Sequence, residues 1–122
     1  MKTNQNHDPG QLEMLFGNRS ATARILDFMH VFRDWDYNIQ DIAENSNVSP
    51  RHATNAIQKL EKLELIKKTR TVGNSQMYKY NTENKAAILL DKFTLELAGQ
   101  EAQKIANQEI AKEQQTTQPI PV

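Results

Sequence analysis

Arg51, His52, Thr54, Asn55, Gln58 and Lys59 crowd hydrogen-bond donors, acceptors and cations into a single short stretch of the chain. Arg and Asn are flat groups that engage two partner atoms at once, and Lys supplies a mobile point charge, so this set suits planar polar edges and phosphate oxygens. Groups for bond-making chemistry are scarce. There is no cysteine, which removes thiolate nucleophiles, thiolate metal sites and disulfides. No phosphate-cradling glycine loop, nucleophile motif or His/carboxylate spacing of the metal-site type occurs, and Gly73 is taken up by a turn. Asp34 and Asp36 flank Trp35 where a helix must end, which suits capping or solvation better than acid–base work. His7 and His30 have no partner visible in the sequence. The expectation is a binding protein without cofactor or metal, and not an enzyme.

The elements that must present this stretch can be read from its punctuation. In "DIAENSNVSPRHATNAIQKL", residues 41 to 60, two helical halves are separated by Ser46-Asn47-Val48-Ser49-Pro50. Ser49 is a capping residue and Pro50 fits the first helical position, so a helix starts at Pro50 and runs to about Leu63. Asn47 enters the left-handed region readily, which lets the preceding helix, Gln40 to Asn45, turn sharply. Ile42, Ala43, Val48, Ala53, Ile57 and Leu60 fall on one side, leaving Arg51, His52, Thr54, Asn55 and Gln58 on the other. This is a helix-turn-helix pattern with a polar outward face.

The 122 residues carry 15 Lys/Arg and 15 Asp/Glu, a net charge of zero. The charges are unevenly placed. Residues 1 to 48 hold four basic and seven acidic residues (−3), residues 49 to 81 hold seven and two (+5), and residues 82 to 122 hold four and six (−2). Local field attracts phosphate, so a basic middle outweighs a neutral total. No run is long and apolar enough for a membrane span, and the polar start lacks a secretory leader, which points to a cytoplasmic protein with no membrane partner.

Residues 1 to 11 read as a disordered arm. The domain proper spans 12 to 82, with Leu12, Leu15 and Phe16 in a short lead-in turn, then Ile25, Phe28, Met29, Phe32 and Trp35 spaced as one core helix. Tyr37 to Ile39 reads either as a short strand or as a plain connection. Residues 65 to 71 and 76 to 80 form two β-runs about a Gly73-Asn74 turn, with Ile66, Tyr78 and Tyr80 facing the core. Lys67, Lys68, Arg70 and Lys79 lie on these strands, where edge protection and phosphate contact are compatible roles, and Asn74 and Ser75 lie at the tip. Residues 83 to 113 form a long helix and residues 114 to 122 a disordered tail. Two apolar stripes run along that helix. Ala86, Leu90, Phe93 and Leu97 are expected to cover the domain, and Ile88, Leu95, Ala98, Ala102 and Ile105 to pair with a second copy.

The stretch "YNIQDIAENSNVSPRHATNAIQKLEKLELIKKTRTVGNSQMYKYN" resembles the winged helix-turn-helix domains of transcriptional regulators, MarR/ArsR-like and of the small archaeal type. Ile42 and Ala43 match the buried pair of the second helix, Val48 and Ser49 the end of the turn, Ile57 and Leu60 the inner side of the recognition helix, and Leu65-Ile66 the start of the wing. The likeness covers residues 19 to 81. Asn47 and Glu64 stand where such domains often carry glycine, and Glu64 predicts a different end to the recognition helix. The resemblance implies a mainly α fold with a small β-hairpin and a long C-terminal helix, acting as a homodimer on double-stranded DNA. The helix from Ser49 and Pro50, with Lys59 near its end, would enter the major groove, Arg51 and Asn55 reading bases and the wing gripping backbone or minor groove. Two other roles use the same module: a plasmid partition or replication-initiation protein, and a winged subunit that docks an acidic protein partner.

Overall fold

The structure, a computed structural model, describes residues 8–116. Five helices and one hairpin follow in order: α1 (Gln11–Phe16), α2 (Ala21–Val31), α3 (Ile39–Ser46), α4 (Pro50–Lys62), β1 (Ile66–Val72), β2 (Ser75–Tyr80) and α5 (Lys85–Thr116). Residues 1 to 7, including His7, and residues 117 to 122 lie outside the described residues, and with them most of the expected arm and tail.

Each helix start has an identifiable cap. The Ser20 hydroxyl accepts from the Ala23 amide, the Asn38 side chain from Asp41, and the Ser49 hydroxyl from His52, with Pro50 opening α4. α1 has no cap of its own. The Asp27 carboxylate on α2 accepts from the Leu12 and Glu13 amides at 2.9 and 2.8 Å, so α1 is capped by tertiary structure. Gly10 is required beside it, because a Cβ there would run into the Asp27 side chain.

Both helices of the helix-turn-helix end in the same way. Asn47 has φ 56° and Glu64 has φ 60°, each in the left-handed region. Val48 donates to Ala43 and Asn47 to Glu44; Leu65 donates to Leu60 and Glu64 to Glu61, which completes the paired closure of a Schellman motif at both ends. The expected departure at Glu64 therefore does not occur: glutamate takes the glycine geometry at the cost of strain.

The core joins Ile25 and Met29 of α2, Ile42 and Ala43 of α3, Ala53, Ala56, Ile57 and Leu60 of α4, Ile66, Tyr78 and Tyr80 of the hairpin and Ala87 of α5. Two apolar assignments need correction. Phe32 and Trp35 are 50% and 69% exposed, because α2 stops at Val31 and the helical period no longer carries them inward. Phe28 packs its ring against Tyr37 at 4.8 Å. On α5 the buried positions are Ala87 and Thr94, while Ala86 is exposed and Phe93 is 46% exposed. The helix is rotated from its apolar reading because Asp91 is drawn inward. Its carboxylate lies 3.2 Å from His30 Nδ1 on α2 and 2.8 Å from Arg33 just beyond that helix. His30 thus has partners on two elements, contrary to the sequence reading.

The hairpin is antiparallel, with Ile66 opposite Tyr80, Lys67 opposite Lys79 and Lys68 opposite Tyr78. Tyr37 adds a one-residue third strand, exchanging backbone hydrogen bonds of 2.8 Å with Tyr78 in both directions. The Tyr80 hydroxyl donates to the Ala87 carbonyl at 2.6 Å and so ties the base of the hairpin to the first turn of α5.

Candidate nucleic-acid interface

α4 is held from one side only. Ala53, Ala56, Ile57 and Leu60 are buried, and Pro50, Arg51, His52, Asn55, Gln58 and Lys59 are exposed along the opposite face. The helical period makes this separation automatic once the apolar stripe is seated. Arg51, Asn55 and Gln58 stand three and four residues apart, one above the other, and point outward together. Ser49 and Thr54 are less available. The Ser49 hydroxyl is occupied by the cap and lies 3.0 Å from His52 Nδ1, and the Thr54 hydroxyl donates to the Pro50 carbonyl at 2.9 Å.

The position of α4 is secured from behind. Arg24 of α2 donates to Glu13 of α1 at 2.8 Å and, through a second nitrogen, to the Asn47 carbonyl at 2.8 Å. The turn that aims α4 is thereby bonded to two other helices. Sequence reading missed this link because neither Glu13 nor Arg24 belongs to an apolar pattern; a buried glutamate beside an arginine is visible only once the fold is known.

On the wing, Lys67 and Lys79 are directly opposed, and Lys68 reaches Glu61 only at 3.8 Å. Like charges opposite one another destabilise a sheet pair unless an anion lies between or above them. Asn74 and Ser75 form the tip, where Gly73 has φ 59°. Arg70 behaves differently from the lysines. Its guanidinium donates twice to Asp36, at 2.9 and 3.1 Å, and the Thr69 hydroxyl donates to the same carboxylate at 2.7 Å. These bonds hold the Asp36 carboxyl well below the usual carboxylate range, at about 2. The contribution of this contact to stability is therefore full above pH 3.8 and is lost as pH falls through about 2.

Of the sequence-derived set, Arg51, His52, Asn55, Gln58 and Lys59 share one exposed face, the lysines and the tip residues sit on the hairpin, and Arg70 is engaged by Asp36. Residues 35–75 match the model of the MarR family. That segment is similar to the MarR family, and the fold around it is a winged helix-turn-helix. The match covers α3, α4, β1 and the turn of the hairpin. Among solved structures, MepR, a transcription regulator of the Staphylococcus aureus multidrug efflux pump MepA, superposes with a TM-score of 0.63 at 17% identity, covering 87% of this chain and 77% of that one. An apo double mutant of ZitR from Lactococcus lactis superposes with a TM-score of 0.53 at 22% identity, covering 82% of this chain and 73% of that one. At such identities the likeness shows a shared fold. No curated protein sequence matches this chain.

Among the described residues no helix is long and apolar enough to cross a membrane, and no group of three or more His, Asp or Glu is arranged to hold a metal ion.

Proposed function

We propose that this chain is a homodimeric transcriptional regulator of the cytoplasm that reads double-stranded DNA with α4 in the major groove. The observation that carries the reading is the one-sided burial of α4, which leaves Arg51, Asn55 and Gln58 exposed in a row on its outward face. Arg pairs bidentately with guanine and Asn or Gln with adenine, so this row is a set of base readers. His52, Lys59 and the helix start at Ser49 and Pro50 suit the adjoining backbone. Lys67, Lys68 and Lys79 supply phosphate contacts, with the Asn74–Ser75 tip beside them. Binding would relieve the repulsion between the opposed Lys67 and Lys79.

The dimer reading rests on α5. Ile88, Leu95 and Ile105 are 37%, 74% and 52% exposed, and from Gly99 to Glu113 every side chain except Ala106 is exposed, Ala102 included, while Ala98 is half-buried. A helix that projects so far beyond its domain buries its apolar residues only against another chain. Leu89 and Phe93 widen the stripe, and the exposed Met14, Leu15 and Phe16 of α1 add to it, since α1 packs on α5. A second copy is the economical occupant because two-fold pairing of α5 brings two α4 helices to one site.

The test is an electrophoretic and anisotropy assay of the full chain against duplex fragments from its own genomic neighbourhood, repeated at several salt concentrations. Preference for one fragment with a steep salt dependence is expected. A footprint extending well past two half-sites would favour the partition or replication-initiation role, and binding to no duplex at low salt would favour a winged subunit that docks an acidic protein.

A further inference from the structure

The registers of the hairpin are offset by one residue between Lys68 and Thr71, so Thr69 and Arg70 together oppose Met77. In a regular strand consecutive side chains leave opposite faces; at a bulge they do not, and here both converge on Asp36. The Gln76 side-chain amide donates to the carbonyls of Arg70 and Met77 at 3.1 and 3.0 Å and fixes the bulge from the other strand. Asp36 is itself anchored, since the next residue, Tyr37, is paired to Tyr78. We propose that Asp36, Thr69, Arg70 and Gln76 form a bulge-built clasp that sets the angle of the wing against the helix-turn-helix, with Arg70 as a positioning residue for the wing lysines and not a DNA contact.

An arginine reserved for phosphate needs neither a bulge nor a bidentate carboxylate, and Asp36 standing free beside a DNA backbone would repel it. Pairing satisfies both groups and leaves Lys67, Lys68 and Lys79 to meet the polyanion. The arrangement rests on the DNA-binding reading for its consequence but not for its existence, so two measurements separate them.

In the full chain, Arg70→Gln and Asp36→Asn should each weaken binding to every duplex by roughly three- to tenfold, and the double variant should be no worse than either alone, as for residues acting in one network. The salt slope should remain that of the wild type. If Asp36→Asn tightens binding, or if Arg70→Gln lowers the slope by about one counterion, Arg70 is a phosphate contact that Asp36 holds back, and the clasp is overturned. Amide hydrogen exchange without DNA gives the independent measurement. Thr71 to Ser75 should exchange faster in both variants while Tyr37 and Tyr78 keep their protection. Unchanged exchange overturns the clasp whatever the DNA result, and a wild-type chain that binds no duplex while exchange responds as expected removes the regulator reading alone.

Discussion

In the proposed reading Arg51 and Asn55 are the base readers, and both side chains are exposed on the outward face of α4. Arg51→Ala or Asn55→Ala should weaken binding to the preferred duplex by about 1 to 3 kcal/mol and flatten the preference among sequences, with stability unchanged, as measured by competition anisotropy alongside thermal melting. A proportional loss on all sequences would reassign the residue to phosphate. Glu64 makes a prediction of a different kind. Its φ of 60° strains a residue with a Cβ, while its carbonyl accepts from Asn81 at 2.9 Å irrespective of side chain. Glu64→Gly should therefore raise stability by about 1 kcal/mol, read as a higher denaturation midpoint, and leave DNA affinity unchanged. At this scale the sequence was informative where one residue type has one job: Ser49, Pro50 and Asn47 take the cap, the first helical position and the left-handed turn that their chemistry favours. It assigned Asp36 to capping or solvation, where the structure pairs it with Thr69 and Arg70, and it was silent on Arg24 and Glu13, because a tertiary ion pair depends on which distant elements meet.

The elements divide into those that patterning defines and those that polar contacts define. α4 and the hairpin follow from apolar spacing within a residue or two. The end of α2 does not, since Phe32 and Trp35 continue an apolar period after the backbone has left the helix. α5 is turned about its axis by Asp91, a residue that apolar counting ignores. For the wing, replacing Lys67, Lys68 and Lys79 by Gln should weaken binding to any duplex and lower the salt slope by up to about three counterions while preference survives; an unchanged slope would mean that the hairpin faces away from DNA. The α2–α5 junction should respond to pH. Burial pushes the His30 imidazole below its usual value of 6.5 despite the carboxylates of Asp91 and Asp27, which pull it up, and with Arg33 pushing the same way as burial. The unfolded chain then takes up the proton more readily than the folded one, so stability is fullest above pH 6.5 and falls as pH drops below it. Chemical denaturation of the wild type from neutral to mildly acidic pH should show this loss, and His30→Gln should remove it; an equal slope in both would place the effect elsewhere.

For the molecule as a whole, the proposed function depends on two recognition helices being held together, and the exposed length of α5 is the means that reading assigns. Leu95→Glu with Ile105→Glu places carboxylates in the pairing stripe, and desolvating them opposes association by several kcal/mol, whereas each domain keeps its own core. Sedimentation should find a folded monomer that retains weak binding to one half-site. The apolar excess on α5 was legible in the sequence as two stripes, but which stripe faces the domain was not, because Thr94 is buried and Asp91 half-buried while Phe93 is exposed. The central claim, that a pair of chains reads duplex DNA through α4, is tested most directly by footprinting the wild type on a duplex selected from a random pool. Two protected, near-palindromic half-sites about one helical turn apart are predicted, with both lost in the Arg51→Ala, Asn55→Ala variant. Selection of no common sequence, or a single unpaired half-site occupied by a chain that sediments as a monomer, would contradict it.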